Sequence, residues 1–137
     1  MELMKTLDDA CNSQDWETFE KRHAQNVAVY WPGQSEPTGG REAHYEESVE
    51  FFKTFDNKLV NNPYKIVFGQ GNYTCSVADW TATMKGPLKG PDGKLIQPTN
   101  KTAKLEFCTV ATWENQEIVE ERLFYDVVGM MKQLGLM

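Results

Sequence analysis

A lone carboxylate closing an apolar run is the strongest chemical signal in this chain. The segment Glu120-Glu-Arg-Leu-Phe-Tyr-Asp126 has the pattern of a strand, and helical spacing resumes behind it from Val127 to Leu134. If the strand stays extended through Asp126, then Ile118, Glu120, Arg122, Phe124 and Asp126 share one face, because side chains alternate along a strand. Hydrophobes, carboxylates and a guanidinium on one side suit a cavity wall better than an ordinary core or solvent face. A bulge would exchange the two faces.

Phe124, Tyr125, Val127 and Met130 around Asp126 would strip water from its carboxylate and raise its pKa, while Arg122 would favour the ionised form. A carboxylate in that balance can remove a proton from carbon beside a carbonyl, with nearby donors holding the enolate. Capping the terminal helix is the other role open to Asp126, and the two are compatible. Glu106, on one side of its strand with Cys108, suits an ion pair with a cation such as Arg122. Trp80, Met84, Tyr30 and Trp31 are each assignable to a pocket lining or to packing. His23 and His44 are isolated in sequence; His23 would serve as a short-range proton shuttle if it turned inward, and a surface residue at a helix end is the simpler reading. Phosphate loops, Cys-x-x-Cys, His-Glu-x-x-His and nucleophile-elbow motifs are absent. Two classes stand: a carboxylate enzyme for which no cofactor is expected, or a module that binds a hydrophobic small molecule.

The 137 residues fit a single domain spanning 1–137, with room for a core and a modest cavity. A net charge of -6 and scattered Lys and Arg argue against a nucleic-acid surface. No apolar run reaches the roughly 20 residues of a membrane span, and no secretory h-region opens the chain, so a cytoplasmic location is expected. Cys11, Cys75 and Cys108 are widely spaced and suit buried packing.

The elements that must position these residues are legible from periodicity. Leu3, Leu7 and Cys11, widened by Met4 and Ala10, predict a helix over 2–12; Asp15 caps a second, running to Arg22. Val27 to Trp31 is strand-like and ends at Pro32-Gly33. A third helix spans 41–55, with Tyr45, Val49, Phe52 and Phe55 as its buried stripe. Strands follow at 64–68, 73–85, 101–113 and 117–124, with a break over 57–63. Three prolines and three glycines make 86–98 a long connection, able to lean over a cavity mouth. Asn115-Gln116 predicts a tight hairpin. Helices first and a strand meander after describe an α+β domain: a strongly bent antiparallel sheet with helices across its concave side.

With these elements in place, the whole chain resembles the SnoaL-like polyketide cyclase family of the nuclear-transport-factor-2-like superfamily. The resemblance is carried by Ile118 through Asp126 to Gly135, by Gly40-Arg-Glu-Ala43, and by Asp79-Trp-Thr-Ala-Thr-Met-Lys-Gly86. It implies a cone-like α+β barrel with a deep cavity, assembled as a homodimer or higher oligomer through its sheet. It also implies aldol cyclisation without cofactor or metal, Asp126 serving as acid/base with Arg122 assisting. Trp31, Trp80, Met84, Phe124 and Tyr30 would then bind a hydrophobic carbonyl compound. Members with established cyclase activity commonly carry histidine where this chain has Met84, and a thioether cannot replace an imidazole donor. Hydrolysis of an epoxide or ester, or ligand binding without catalysis, are the alternatives.

Overall fold

The computed structural model describes residues 2–90 and 92–137; Met1, and Pro91 within the 86–98 connection, lie outside the described residues. The chain opens with α1 (Glu2–Ser13) and α2 (Trp16–Lys21), the latter capped by Asp15, whose carboxylate accepts from the Thr18 amide. Strand β1 (His23–Tyr30) starts at once, earlier than its apolar run suggests, and a short β2 (Thr38–Gly39) follows. Helix α3 (Arg41–Thr54) runs directly into β3 (Phe55–Val60), where the sequence pattern predicts a break. Then come β4 (Ile66–Gln70), β5 (Tyr73–Met84), β6 (Leu88–Lys89), β7 (Leu95–Ile96), β8 (Thr102–Glu114), β9 (Glu117–Phe124) and α4 (Val127–Gln133).

The main sheet has the order β2-β1-β9-β8-β5-β3, with β4 sharing the outer edge of β5. The expected cone-like, strongly curved antiparallel sheet is not what forms. Strand β1 lies parallel to β9, so the sheet is mixed, and it is open rather than closed or strongly curled. Alternating residues specify which faces are buried but carry no information on which distant strand lies alongside, or in which direction. The segment 86–98 is also more ordered than its prolines suggest, because β6 and β7 pair as a small ladder. Gly86 anchors it: its amide donates to the Thr54 carbonyl, and a Cβ there would collide with the Lys53 carbonyl.

Alternation along β5 and β8 defines the two faces. Ala78, Trp80, Ala82 and Met84 point inward with Ala103, Thr109, Ala111 and Trp113, beneath the helices. One core cluster joins Met4, Leu7 and Phe19 to Val27, Val29, Trp113, Ile118 and Leu123. A second joins Phe55, Trp80, Met84 and Ala103 to Met130 and Leu134 of α4, with Phe107 packed against both. The β8–β9 turn places Asn115 and Gln116 at φ 51° and 66°, the left-handed pair a two-residue hairpin needs.

One irregularity decides what the sheet presents inward. Trp113 pairs with Ile118 but Thr112 pairs with Glu120, so β9 carries an extra residue at Val119. That bulge exchanges the faces of everything beyond it. Ile118, Glu121 and Leu123 are buried on the inner side, while Glu120, Arg122 and Phe124 sit opposite Thr112, Val110 and Cys108 on the outer side.

Candidate active site

Between the two core clusters lies a cavity of about 120 Å³, walled by Trp16, Phe19, Trp31, Phe51, Phe52, Trp80 and Phe107. Besides the Cys11 thiol, four titratable side chains reach it: Asp8 from α1, His23 from the start of β1, His44 from α3 and Glu121 from β9. All four are buried. In α1, Asp8 stands four residues after Met4 and three before Cys11, so it faces inward with them. The β9 bulge does the same for Glu121, and the early start of β1 for His23.

These groups divide into two linked sets. Glu121 Oε2 lies 3.2 Å from His23 Nε2 and 3.9 Å from His44 Nε2. His23 Nδ1 is 2.7 Å from the Phe19 carbonyl, which can only accept, so the proton on that nitrogen is fixed. His44 Nδ1 is 2.8 Å from Glu47 Oε1, which also accepts from Trp31 Nε1, while Glu47 Oε2 accepts from the Thr38 hydroxyl. Burial alone would raise Glu121, but the hydrogen bond from His23 and the charges of both imidazoles outweigh it and hold the carboxyl below its ordinary value. His23, His44 and Glu121 place one donor atom each within 4.8 Å of the others, and are the residues here able to hold a metal ion.

The second set centres on Asp8. Its carboxyl accepts a hydrogen bond from the Tyr64 hydroxyl. Burial pushes Asp8 up from 3.8 to about 7; the neighbouring Glu121 and Asp9 charges add to this, against the Tyr64 hydrogen bond and the His23 charge. Burial and the nearby Asp8 in turn raise the Tyr64 phenol, and burial raises the Cys11 thiol beside it. A carboxyl titrating near neutrality against an aromatic wall can both take and return a proton.

Of the residues singled out by sequence, Trp31 and Trp80 line this cavity. Met84 is fully buried in the adjoining core cluster, where its sulfur accepts from the Thr99 hydroxyl. Tyr30, Arg122 and Phe124 are together on the outer face, the Arg122 guanidinium lying 4.5 Å over the Tyr30 ring and pairing with Glu120. Asp126 is exposed at the head of α4, where its Oδ1 accepts from the Gly129 amide at 2.8 Å; it is not among the cavity residues. Glu106 pairs with Lys65 at 3.0 Å on the surface, and Lys65 also holds Asp79 at 2.9 Å. The buried four were not singled out as a site by sequence. The available signals were an acid at Met4 plus four in an apolar stripe, and a second glutamate one residue out of phase with Glu120.

An open mixed sheet with helices laid over one face, enclosing an apolar cavity with a few ionisable groups, defines an α+β domain with a candidate binding cavity. The chain belongs to the SnoaL-like polyketide cyclase family, whose model matches residues 1–134. Solved structures agree on the fold. A candidate SnoaL-like polyketide cyclase from Jannaschia sp. CCS1 superposes with a TM-score of 0.84 at 19% identity, covering 97% of this chain and 89% of that one. IdmH, a candidate polyketide cyclase from Streptomyces antibioticus, gives 0.77 at 20% identity, covering 98% and 96%. AclR, a candidate hydroxylase from Streptomyces galilaeus, gives 0.79 at 17%, covering 99% and 95%. No curated protein matches. No helix among the described residues is long and apolar enough to cross a membrane.

Proposed function

We propose that this chain is an acid/base enzyme of the isomerase or cyclase type, acting on a small hydrophobic carbonyl compound held in the aromatic cavity. Asp8, rather than Asp126, takes and returns the proton. Three observations support that assignment: Asp8 lines the cavity, its carboxyl is poised near neutrality, and Asp126 is occupied as an exposed helix cap. Once ionised, a carboxylate whose pKa burial has raised to about 7 is a stronger base toward a carbon acid than an ordinary aspartate. His23 and His44 line the same cavity as Asp8.

The cavity size narrows the substrate class. About 120 Å³ is well under the roughly 300–1,000 Å³ of ordinary ligand pockets. That volume favours a ring of five or six carbons over a multi-ring aromatic polyketide. The single observation carrying the proposal is the poised buried carboxyl of Asp8 inside that aromatic wall. Solvent deuterium exchange into cyclopentanone or cyclohexanone tests it: wild type and Asp126→Asn are expected to exchange at similar rates, Asp8→Asn at least about 100-fold more slowly. Equal rates for wild type and Asp8→Asn would refute the role.

A further inference from the structure

The geometry points to a metal site at His23, His44 and Glu121, taking one divalent transition-metal ion through two imidazole nitrogens and one carboxylate oxygen. The argument begins with hydrogen positions. Each histidine presents Nδ1 to a group that can only accept, the Phe19 carbonyl at 2.7 Å and the Glu47 carboxylate at 2.8 Å. Each ring therefore carries its proton on Nδ1, and in the neutral tautomer each Nε2 is a bare lone pair. Both lone pairs face the same oxygen, Glu121 Oε2, at 3.2 and 3.9 Å.

Three acceptors converging in a site whose side chains are 1%, 5% and 9% exposed require a positive charge among them. One added proton supplies a single hydrogen bond, between His23 and Glu121, and leaves His44 Nε2 facing the cavity without a hydrogen-bond partner among the described residues. A metal ion satisfies all three donors at once. At metal–ligand lengths near 2.1 Å, ligand atoms around a tetrahedral ion lie about 3.4 Å apart; the 3.2 and 3.9 Å from Glu121 bracket that separation, and the two imidazole nitrogens, within 4.8 Å of each other, would draw together around the ion.

The surroundings are those of a ligand set. Metal-binding histidines are held by a carbonyl or carboxylate on the far nitrogen, and both are so held here; Trp31 and Thr38 fix the Glu47 carboxylate in turn. Imidazole with carboxylate selects zinc, iron, cobalt or nickel over magnesium or calcium. Three protein ligands leave coordination open toward the cavity, the composition of a reactive site rather than a structural one. The inference goes beyond the proton-transfer role of Asp8 and does not depend on it.

The test is titration of the chelator-treated chain with zinc by calorimetry and with cobalt by visible absorption. One equivalent is expected to bind, with an intense tetrahedral or five-coordinate cobalt spectrum. Glu121→Gln and His44→Gln are expected to weaken zinc binding by at least about 100-fold, and Glu47→Gln, which only steadies His44, by about 10- to 100-fold. Asp126→Asn is expected to bind as wild type does. Glu47 is partly exposed, so that variant remains informative if the buried substitutions prevent folding. Absence of one-equivalent binding in wild type would overturn the site and leave the cluster holding a proton only; so would zinc affinity indifferent to Glu47 and His44.

Discussion

Replacing Asp8 with asparagine is expected to stabilise the protein, and to do so only where Asp8 is ionised. The folded carboxyl titrates near 7 against 3.8 for a free one, chiefly because burial disfavours the charge. Below about pH 4 the group is protonated in both states, and only the cost of the asparagine amide, about 1 kcal/mol, separates the two proteins. As pH rises from about 4 to 7 the unfolded chain ionises Asp8 and the folded chain resists, so wild type loses stability across that window. Above pH 7 the loss is complete, at most about 4 kcal/mol for a difference of this size. Asparagine keeps an oxygen for the Tyr64 hydroxyl but brings an amide needing a partner, which removes about 1 kcal/mol of the gain. About 3 kcal/mol is left at pH 8, roughly 10 °C in Tm for a domain of this length. Urea unfolding of both proteins from pH 4 to 8 measures it. A difference that does not grow with pH, or a variant no more stable than wild type at pH 8, refutes the poised carboxyl.

Other expectations follow from the same geometry. Glu121→Ala removes the carboxylate that His23 faces in a buried site, leaving His44 with Glu47 alone, and is expected to cost about 3–5 kcal/mol in chemical unfolding. Asp126→Ala removes the cap on α4 and is expected to cost about 1 kcal/mol while deuterium exchange persists; loss of exchange in the folded variant would return the acid/base role to Asp126. The outer sheet face exposes Ile66, Phe68, Tyr73 and Phe124, and we propose that copies of the chain associate there. Wild type is expected to sediment as a homodimer and Phe68→Asp with Phe124→Asp as a monomer; a monomeric wild type refutes this.

The elements were largely legible because their causes are local. Leu3, Leu7 and Cys11 mark α1, Asp15 caps α2, Asn115-Gln116 turns the hairpin, and Val127 to Leu134 forms the last helix. The site was less legible because its causes are not. Strict alternation puts Glu120 and Arg122 on one face with Ile118, the Val119 bulge turns them outward, and nothing in β9 itself announces a bulge that depends on its pairing with β8. His23 follows α2 so closely that it reads as a helix end; only the parallel pairing of β1 with β9 makes it the first inward residue of a strand. His44 sits among Glu42, Glu46 and Glu47 and has the look of a solvent face, yet the inward stripe of α3 is His44, Ser48, Phe51 and, at its end, Phe55. That stripe lies one residue from the Tyr45, Val49 and Phe52 line, with Phe52 also reaching the cavity.

The pH dependence of deuterium exchange into a cavity-sized ketone is the most direct measurement of what Asp8 does. The rate in wild type is expected to rise with a midpoint near pH 7 and level off above it, following ionisation of the buried carboxyl, and that rise is expected to vanish in Asp8→Asn. A midpoint near 4, or the same profile in Asp8→Asn, would contradict the assignment of proton transfer to Asp8.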